Sequence, residues 1–435
     1  MRPVRDRSAS ERPVIGLFGA FDTGDLEEVA LRRVIESELG RLRPDVDVVT
    51  YAPFGAERPI PGDDGRPALP LGPVASAASL GVDALIVAGD VLMHDEGWAA
   101  RYGTPAEAMA DRGVGTLALT GRRGGEAAAS SVLWFAVTSA ECEADVSGIR
   151  AGAIWARDLA TQKHVGGTAV QSGDPLLLAG RVFSPDVLRR RADLLRLCGA
   201  LPAGRRLVVE IAPSLGASHV VEGLIEAVSA ALRADPRLSA VVVDLDPTRQ
   251  PSAGSRLRLA GLGAERVHHL PDWVGLDDVA AVMSGSVAVL AISPAGAHLA
   301  ASLSAPVSAL DTGLGERFDA AIPLLAGDLT PAVQSFLAAP HKVAIDRAIE
   351  QLDGAFAELA ERLPHGAGAA HVAPQADATA SALAILQRRL ADERTALAAE
   401  LSRMQAELDH LRASPEHRLA RPIREGYQRW QRRRT

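Results

Sequence analysis

The feature that most constrains the fold of this chain is a repeated alternation between short apolar runs and helical stretches. After a run, apolar residues recur every three or four positions, as over 27–42, which is the spacing of an amphipathic helix. Strands that alternate with helices build a mostly parallel sheet with helical crossovers. In the first half of the chain the runs predict strands over 14–18, 46–51, 83–88, 115–118, 132–137 and 151–155, with a long proline- and glycine-rich loop over 53–73.

The alternation begins again after about residue 180. This second series predicts helices over 185–198, 217–234, 255–262 and 276–283, and strands over 207–211, 240–245, 266–269 and 287–292. A chain of 435 residues is also too long for one ordinary core. We therefore predict an α/β protein with two Rossmann-like domains in a GT-B-like arrangement, over 14–182 and 183–363. Helices near 331–337 and 343–363 close the fold, and a ligand cleft lies between the carboxyl edges of the two sheets.

The C-terminal part of the chain has a different pattern. Residues 364–377 are rich in glycine, alanine, histidine and proline and predict a linker. Leucines at three- and four-residue spacing then predict a coiled coil over 378–412, which implies self-association. The tail over 413–435 is rich in arginine and contains Trp430. Such a tail suits peripheral contact with anionic lipid headgroups, and the alternative is a solvated basic segment.

Composition excludes several classes of protein. The net charge of -8 argues against general binding of nucleic acid. The two cysteines, Cys142 and Cys198, are far apart and have no metal-binding spacing, so we expect buried, reduced thiols in a cytoplasmic protein with no metal and no cofactor. The N-terminus has no apolar segment of a signal peptide, and no apolar run approaches the ~18 residues that span a bilayer. Any work on lipid-linked material would take place at the inner face of the membrane.

Glycine and aspartate stand together at two strand ends of the first domain. Gly24 and Asp25 precede the helix over 27–42, and Gly89 and Asp90 follow the strand over 83–88. A helix N-terminus presents backbone N–H groups that bind phosphate or carboxylate, so the loop with Gly24 and Asp25 is a candidate substrate site, while Gly89 and Asp90 become candidates through the resemblance described next. The alternative for the first loop is an ordinary turn in which Asp25 caps the helix.

Five segments, taken in order, resemble the polysaccharide pyruvyl transferase family over roughly residues 14–325. The loop before the first helix is similar to the family's Asn-x-Gly-Asp start, with Asp22 at the asparagine. The other four segments are Ala88-Gly89-Asp90, similar to a Gly-Gly-Gly element; Arg157-Asp158, similar to Arg-Asp-x-x-Ser with Thr161 at the serine; Gly173-Asp174-Pro175, similar to an Asp-Pro element; and the strand–helix–Pro-Val signature over 287–307. The resemblance implies transfer of pyruvate from phosphoenolpyruvate to a sugar of a cell-surface polysaccharide.

The chain departs from this family at the residues that would carry out catalysis. In the family's register, Ala295 replaces the catalytic histidine and Ser293 replaces a frequent arginine. Pyruvyl transfer needs an acid to protonate the enol methylene, and cations to hold the phosphate and carboxylate. His298 lies one helical turn beyond Ala295 and is the candidate substitute, although a structural histidine is the commoner explanation. His94, His268 and His269 are the next candidates because they follow or end predicted strands.

The sequence thus predicts a pyruvyl transferase-like protein whose activity is open. Its expected partners are phosphoenolpyruvate and a glycan acceptor. One alternative is a non-catalytic family member that binds a glycan or partner enzymes during envelope polysaccharide assembly, and another is a glycosyltransferase with a nucleotide-sugar donor. The tail from Leu411 to Arg424 is similar to segments that follow coiled coils in bacterial polysaccharide glycosyltransferases. The predicted substrate-binding residues are Gly24, Asp25, Gly89, Asp90, Arg157, Ser293 and Gly296, with His298 as the candidate catalytic residue.

Overall fold

The structure is a computed structural model, and it describes the larger part of the chain up to residue 365. The described residues are 12–55, 68–70, 80, 82–90, 95–105, 107, 109, 132–138, 153–166, 169–211, 218–245, 266–271, 274–311, 315–318 and 321–365. The predicted coiled coil and basic tail, the predicted strand over 115–118, the predicted helix over 255–262, Cys142 and His94 lie outside them.

The first domain is built on a parallel sheet of seven strands. They are β1 (Val14–Phe18), β2 (Asp47–Ala52), β3 (Leu69–Pro70), β4 (Ala84–Gly89), β5 (Val132–Val137), β6 (Ala153–Ala156) and β7 (Ala169–Gln171), in the order β3-β2-β1-β4-β5-β6-β7. The helices of this part are α1 (Leu26–Leu42), α2 (Asp95–Tyr102) and α3 (Leu159–Val165). The order reverses between β1 and β4, so a crevice opens there at the carboxyl ends of the strands.

The second domain is built on a parallel sheet of six strands. They are β8 (Arg205–Ile211), β9 (Leu238–Asp244), β10 (Val267–His269), β11 (Ala288–Ala291), β12 (Val307–Leu310) and β13 (Leu324–Leu325), in the order β10-β9-β8-β11-β12-β13. The helices are α4 (Ala179–Val182), α5 (Pro185–Leu197), α6 (Ser218–Ala234), α7 (Leu276–Ser284), α8 (Pro294–Ser302), α9 (Leu329–Ala338) and α10 (Asp346–Arg362). Here the order reverses between β8 and β11. These two sheets confirm the prediction of two Rossmann-like domains in a GT-B-like arrangement.

The central strands are apolar because helices cover both faces of each sheet. Every residue of β1, β4, β5, β11 and β12 is buried, as expected for strands of a parallel sheet. Helix α1 contributes a continuous buried face that includes Val29, Leu31, Val34, Ile35 and Leu39. The short edge strands β3, β7 and β13 were not predicted, since two or three residues carry no periodicity.

The last described helix returns to the first domain, although its position in the sequence had assigned it to the second. Phe356 of α10 packs on Phe135 of β5 with ring centroids 4.5 Å apart. The guanidinium of Arg43, at the end of α1, donates to the carbonyls of Ala360 and Leu363 at 2.9 and 3.3 Å. Helix α10 therefore ties the two halves of the fold together.

The structure bears on the expected burial of Cys198 and on the expectation that no segment spans a membrane. Cys198, predicted to be buried, is exposed, because it caps the C-terminal end of α5 on the solvent side. In the part of the chain that the structure describes, no helix is long and apolar enough to cross a membrane.

Candidate functional site

The carboxyl edges of the two sheets meet at the start of α1. The backbone N–H of Leu26, at the first position of α1, donates to the carbonyl of Leu245 at the end of β9, at 2.7 Å. Asp25 caps the helix, because its carboxylate accepts from the N–H of Glu27 at 2.8 Å. Gly24 adopts a φ of 84°, which glycine tolerates best. The N–H groups of Leu26 and Glu27, predicted to bind an anion, therefore already have partners within the chain.

The turn after β4 is filled by a second carboxylate. Glu28 of α1 is buried and accepts from the N–H of Asp90 at 3.0 Å and from Arg101 at 3.2 Å. A Cβ atom on Gly89 would lie 2.3 Å from a carboxylate oxygen of Glu28, so only glycine fits there. Burial raises the pKa of Glu28 to about 7, against the opposing effect of Arg101. Arg101 also pairs with Asp25 and Asp90, at 3.2 and 2.5 Å.

Arg157, the predicted clamp for substrate, follows β6 and is buried. Its guanidinium pairs with Glu27 of α1 and with Asp174, at 2.5 and 2.7 Å. Both carboxylates belong to the chain itself. Arg157 is therefore neutralised within the protein, and its next neighbour Asp158 caps α3 by accepting from Thr161.

The N-terminus of α8 in the second domain is filled by a third carboxylate. Glu210, in β8, is fully buried and accepts from the N–H groups of Ile292 and Ser293 at 2.8 and 3.1 Å, and from the hydroxyl of Ser293. Ser293 also caps the helix by accepting from the N–H of Gly296 at 3.0 Å. A Cβ atom on Gly296 would lie 2.0 Å from a carboxylate oxygen of Glu210. Burial raises the pKa of Glu210 to about 7, although its donors oppose the shift.

The histidine proposed as catalytic lies inside the fold. His298 is 2% exposed, and its Nδ1 lies 2.5 Å from a carboxylate oxygen of Asp174. Burial alone would raise the pKa of Asp174, but the charge of Arg157 and the contact with His298 outweigh it and hold that pKa well below its usual range. Ala295 is buried as well. The placement of His298 matches a structural histidine better than a group that reaches into the cleft.

Three further positions singled out in the sequence, Asp22, His268 and His269, can be placed in the fold. Asp22, at the place of the family's asparagine, accepts from the N–H groups of Phe54 and Gly55 at 2.6 Å each and from the hydroxyl of Tyr102. His268 and His269 lie on β10, an edge strand that β9 separates from β8. They are thus not grouped with Glu210 and Ser293.

The sequence did not point to Glu27, Glu28 and Glu210, which organise this edge together with Asp174, a residue noted only as part of the Asp-Pro element. A signal was present for two of them. Glu210 interrupts the apolar run of β8, and Glu28 falls on the buried side of α1. A carboxylate at a buried position needs donors, and the nearest available donors are the N–H groups at strand ends and helix starts. Among the described residues, no group of three or more histidine, cysteine, aspartate or glutamate side chains could hold a metal ion.

Comparisons with known proteins assign no family. No family model matches the chain, and no curated protein matches it either. The resemblance to pyruvyl transferases therefore rests on the motifs alone.

Among solved structures, one neighbour is the S. aureus MnaA-UDP co-structure, at 12% identity and a TM-score of 0.47, covering 79% of this chain and 91% of that one. The UDP-GlcNAc 2-epimerase of Neisseria meningitidis bound to UDP-GlcNAc has 14% identity and a TM-score of 0.47, covering 81% and 99%. The E. coli ADP-heptose LPS heptosyltransferase II has 13% identity and a TM-score of 0.38, covering 80% and 99%. Likeness at this level leaves the function to be argued from the residues of the cleft.

Proposed function

We propose that this protein is a non-catalytic component of envelope polysaccharide assembly that binds an uncharged glycan in its interdomain cleft. One observation carries the proposal. The three places that the first loop and the family resemblance offered for a substrate hold the chain's own carboxylates, from Asp25, Glu28 and Glu210. A transferase that uses phosphoenolpyruvate or a nucleotide sugar needs those places for phosphate.

Electrostatics also disfavours an anionic substrate. The two arginines at this edge, Arg101 and Arg157, each already face more than one carboxylate. Phosphoenolpyruvate would bring a phosphate and a carboxylate to a region where, among the described residues, acidic groups outnumber basic ones. In a site of low dielectric, such like-charge contacts are costly.

The same edge suits the hydroxyl groups of a sugar. The side chains of Glu27, Asp90 and Asp25 keep 29%, 21% and 13% of their surface exposed while arginines fix their orientation. Carboxylate oxygens held in place by an ion pair accept hydrogen bonds from neutral hydroxyls without a change of charge. The resemblance to polysaccharide enzymes, and the tail similar to those of polysaccharide glycosyltransferases, give the class of ligand.

Binding measurements on the full-length protein test this. A neutral glycan array, followed by calorimetry with the best oligosaccharide, is compared with calorimetry against phosphoenolpyruvate and a UDP-sugar. We expect binding of a neutral oligosaccharide that falls at least tenfold in Glu27→Gln and Asp90→Asn. Asp353→Asn is the matched control, since Asp353 pairs with Arg181 on the exposed surface. Phosphate release from phosphoenolpyruvate, or tight binding of the UDP-sugar, would contradict the proposal.

Pyruvyl transfer is the second candidate, and the contact between Asp174 and His298 is the observation that favours it. Asp174 holds the imidazole of His298 in place, and a histidine can act as a general acid toward the enol methylene if the cleft opens to expose it. In that case pyruvyl transfer to a sugar acceptor would be measurable, and His298→Asn would lower its rate by about 10²–10⁴-fold. Transfer that survives this change would exclude His298 as the acid.

A further inference from the structure

A cavity of about 420 Å³ lies at the amino edge of the second sheet, at the far end of the strands from the cleft. Helix α5 forms one wall. The start of β8 and the C-terminal ends of α7 and α8 form the others. A volume of this size suits a small organic ligand.

The cavity contains a buried cation with little compensation. Arg206, at the start of β8, lines it and is 3% exposed. Its guanidinium donates to the carbonyl of Gly285 at 2.7 Å, while its Nε has no hydrogen-bond partner among the described residues. In the same part of the chain, no carboxylate lies within ion-pair distance of it. Burial first, and the nearby charge of Arg196 second, lower the pKa of Arg206, which is the direction expected of an uncompensated positive charge.

Capping of α7 explains only part of this arrangement. An arginine near a helix C-terminus can satisfy a terminal carbonyl and complement the helix dipole, and the bond to Gly285 does so. A guanidinium has five N–H donors, however, and a buried cation without a carboxylate is rarely left with one partner.

From these observations we infer that the cavity binds a small molecule through a phosphate group, with Arg206 as its buried cationic ligand and Arg196 as a second, which would exchange its exposed partner Asp193 for the ligand. Two guanidiniums match the double charge of a phosphate monoester better than the single charge of a carboxylate. Apolar side chains of Phe183, Leu188 and Leu303 line the rest of the cavity and suit the carbon skeleton of such a ligand. This site is separate from the cleft and stands whether or not the cleft binds glycan.

The test is titration of the full-length protein with inorganic phosphate and with glycerol 1-phosphate at constant ionic strength, with acetate as the carboxylate probe. Calorimetry gives the affinity and thermal unfolding gives an independent reading. Arg206→Met removes the buried charge at similar length, and Arg196→Gln removes the second charge from an exposed helix position where folding is not at risk. Arg205→Gln is the matched control, because Arg205 pairs with the exposed Asp235 at 2.6 Å.

We expect phosphate to bind the wild type and Arg205→Gln equally, with affinity at least tenfold lower in Arg206→Met and several-fold lower in Arg196→Gln. If Arg206→Met does not fold, Arg196→Gln alone decides. Failure of the wild type to bind phosphate would overturn the inference. Binding that survives both substitutions would do so as well, because it would then come from elsewhere, such as the arginine-rich tail over 413–435. Preference for acetate would overturn the choice of phosphate.

Discussion

The two ends of strand β8 hold opposite charges, and the protein treats them differently. Arg206 and Glu210 are four residues apart on one strand, so their side chains point to the same face of the sheet. Both are buried. Glu210 receives three hydrogen bonds, two of them from backbone N–H groups at the start of α8. Arg206 has one hydrogen-bond partner for its side chain among the described residues, the carbonyl of Gly285.

Helix dipoles favour both charges, so the dipoles do not explain the difference. Glu210 lies at the positive N-terminal end of α8, and Arg206 lies at the negative C-terminal end of α7. What differs is the number of groups supplied by the chain. Among the described residues, both carboxylate oxygens of Glu210 accept hydrogen bonds, which leaves an anionic ligand little to gain at that end of β8, whereas Arg206 keeps a buried Nε–H without an acceptor. The comparison teaches that an available site is marked by unsatisfied groups, and that a strand end in a Rossmann-like fold does not suffice.

Breaking the charge network at the carboxyl edge should have the largest effect. Asp174→Ala leaves Arg157 with one carboxylate and removes the partner of His298. Removing one member of a buried ion pair typically costs about 3–5 kcal/mol, and we expect a loss of that size in urea unfolding at pH 7.

Asp353→Ala is the control for this experiment, because Asp353 pairs with Arg181 at an exposed position and should cost less than about 1 kcal/mol. Equal losses in the two variants would mean that the carboxyl edge is not the self-contained network described above.

The pH dependence of stability should show the next largest effect. Burial raises the pKa values of Glu28 and Glu210 to about 7 in the fold, from the 4.5 of a solvent-exposed glutamate. Between these values the folded state holds protons that the unfolded state has released, so the free energy of unfolding falls as the pH rises from about 5 to 8. At about 1.4 kcal/mol per pKa unit, each group contributes up to about 3 kcal/mol to that fall.

Glu210→Gln removes one of the two titrating groups and should roughly halve the slope of stability against pH over this window. Asp174 acts in the opposite direction, because its pKa is lowered, and its contribution is lost only at more acidic pH. The measurement is urea unfolding at closely spaced pH values. An unchanged slope in Glu210→Gln would show that Glu210 is ionised throughout the window.

The fold could be predicted from the sequence because its elements are long and their periodicity is strong. The predicted strand over 132–137 and the predicted helix over 185–198 agree with β5 and α5 to within one residue. Each buried strand of a parallel sheet is a continuous apolar run, and each crossover helix carries an apolar face. The short strands β3, β7 and β13 escaped prediction because their pairing depends on neighbours distant in sequence.

The sequence indicated which loops form the candidate site, but it did not indicate which side chains occupy them. Gly24 lies in the loop before α1, Gly89 ends β4 and Gly296 lies in the first turn of α8, so all three are near the carboxyl edges of the sheets. What the motifs could not show is that Glu28 and Glu210 approach Gly89 and Gly296 from other elements, and that the glycines leave room for those carboxylates. Such contacts join residues 61 to 86 positions apart, so no local pattern contains them. A charged residue within an apolar run was the available signal, and its meaning depends on which donors lie nearby in space.

A methyl group between Glu210 and the start of α8 should test the close approach at the carboxyl edge. In Gly296→Ala the added carbon would lie 2.0 Å from a carboxylate oxygen of Glu210, and the backbone or the carboxylate must move. Overpacking of this kind typically costs about 1–3 kcal/mol. In the double variant with Glu210→Ala, the two losses should be clearly less than additive, because the clash is removed.

Gly40→Ala provides the control, since nothing lies within 4 Å of an added Cβ atom in this last turn of α1, and alanine there should stabilise the helix by up to about 0.5–1 kcal/mol. Additive losses in the double variant would place the strain of Gly296→Ala somewhere other than against Glu210.

The smallest effect should come from the opposite end of β8. Arg206→Met removes one hydrogen bond, to Gly285, but it also removes a buried charge and keeps most of the apolar contact of the side chain. A net hydrogen bond contributes about 1 kcal/mol, and relief from burying the cation offsets part of that loss. In phosphate-free buffer we therefore expect a change in unfolding free energy of about 1 kcal/mol or less. Saturating phosphate should then stabilise the wild type and leave Arg206→Met unchanged, so that the gap between the two widens with ligand. A loss comparable to that of Asp174→Ala in phosphate-free buffer would show that Arg206 is as fully integrated as the carboxyl edge, and the contrast between the two ends of β8 would disappear.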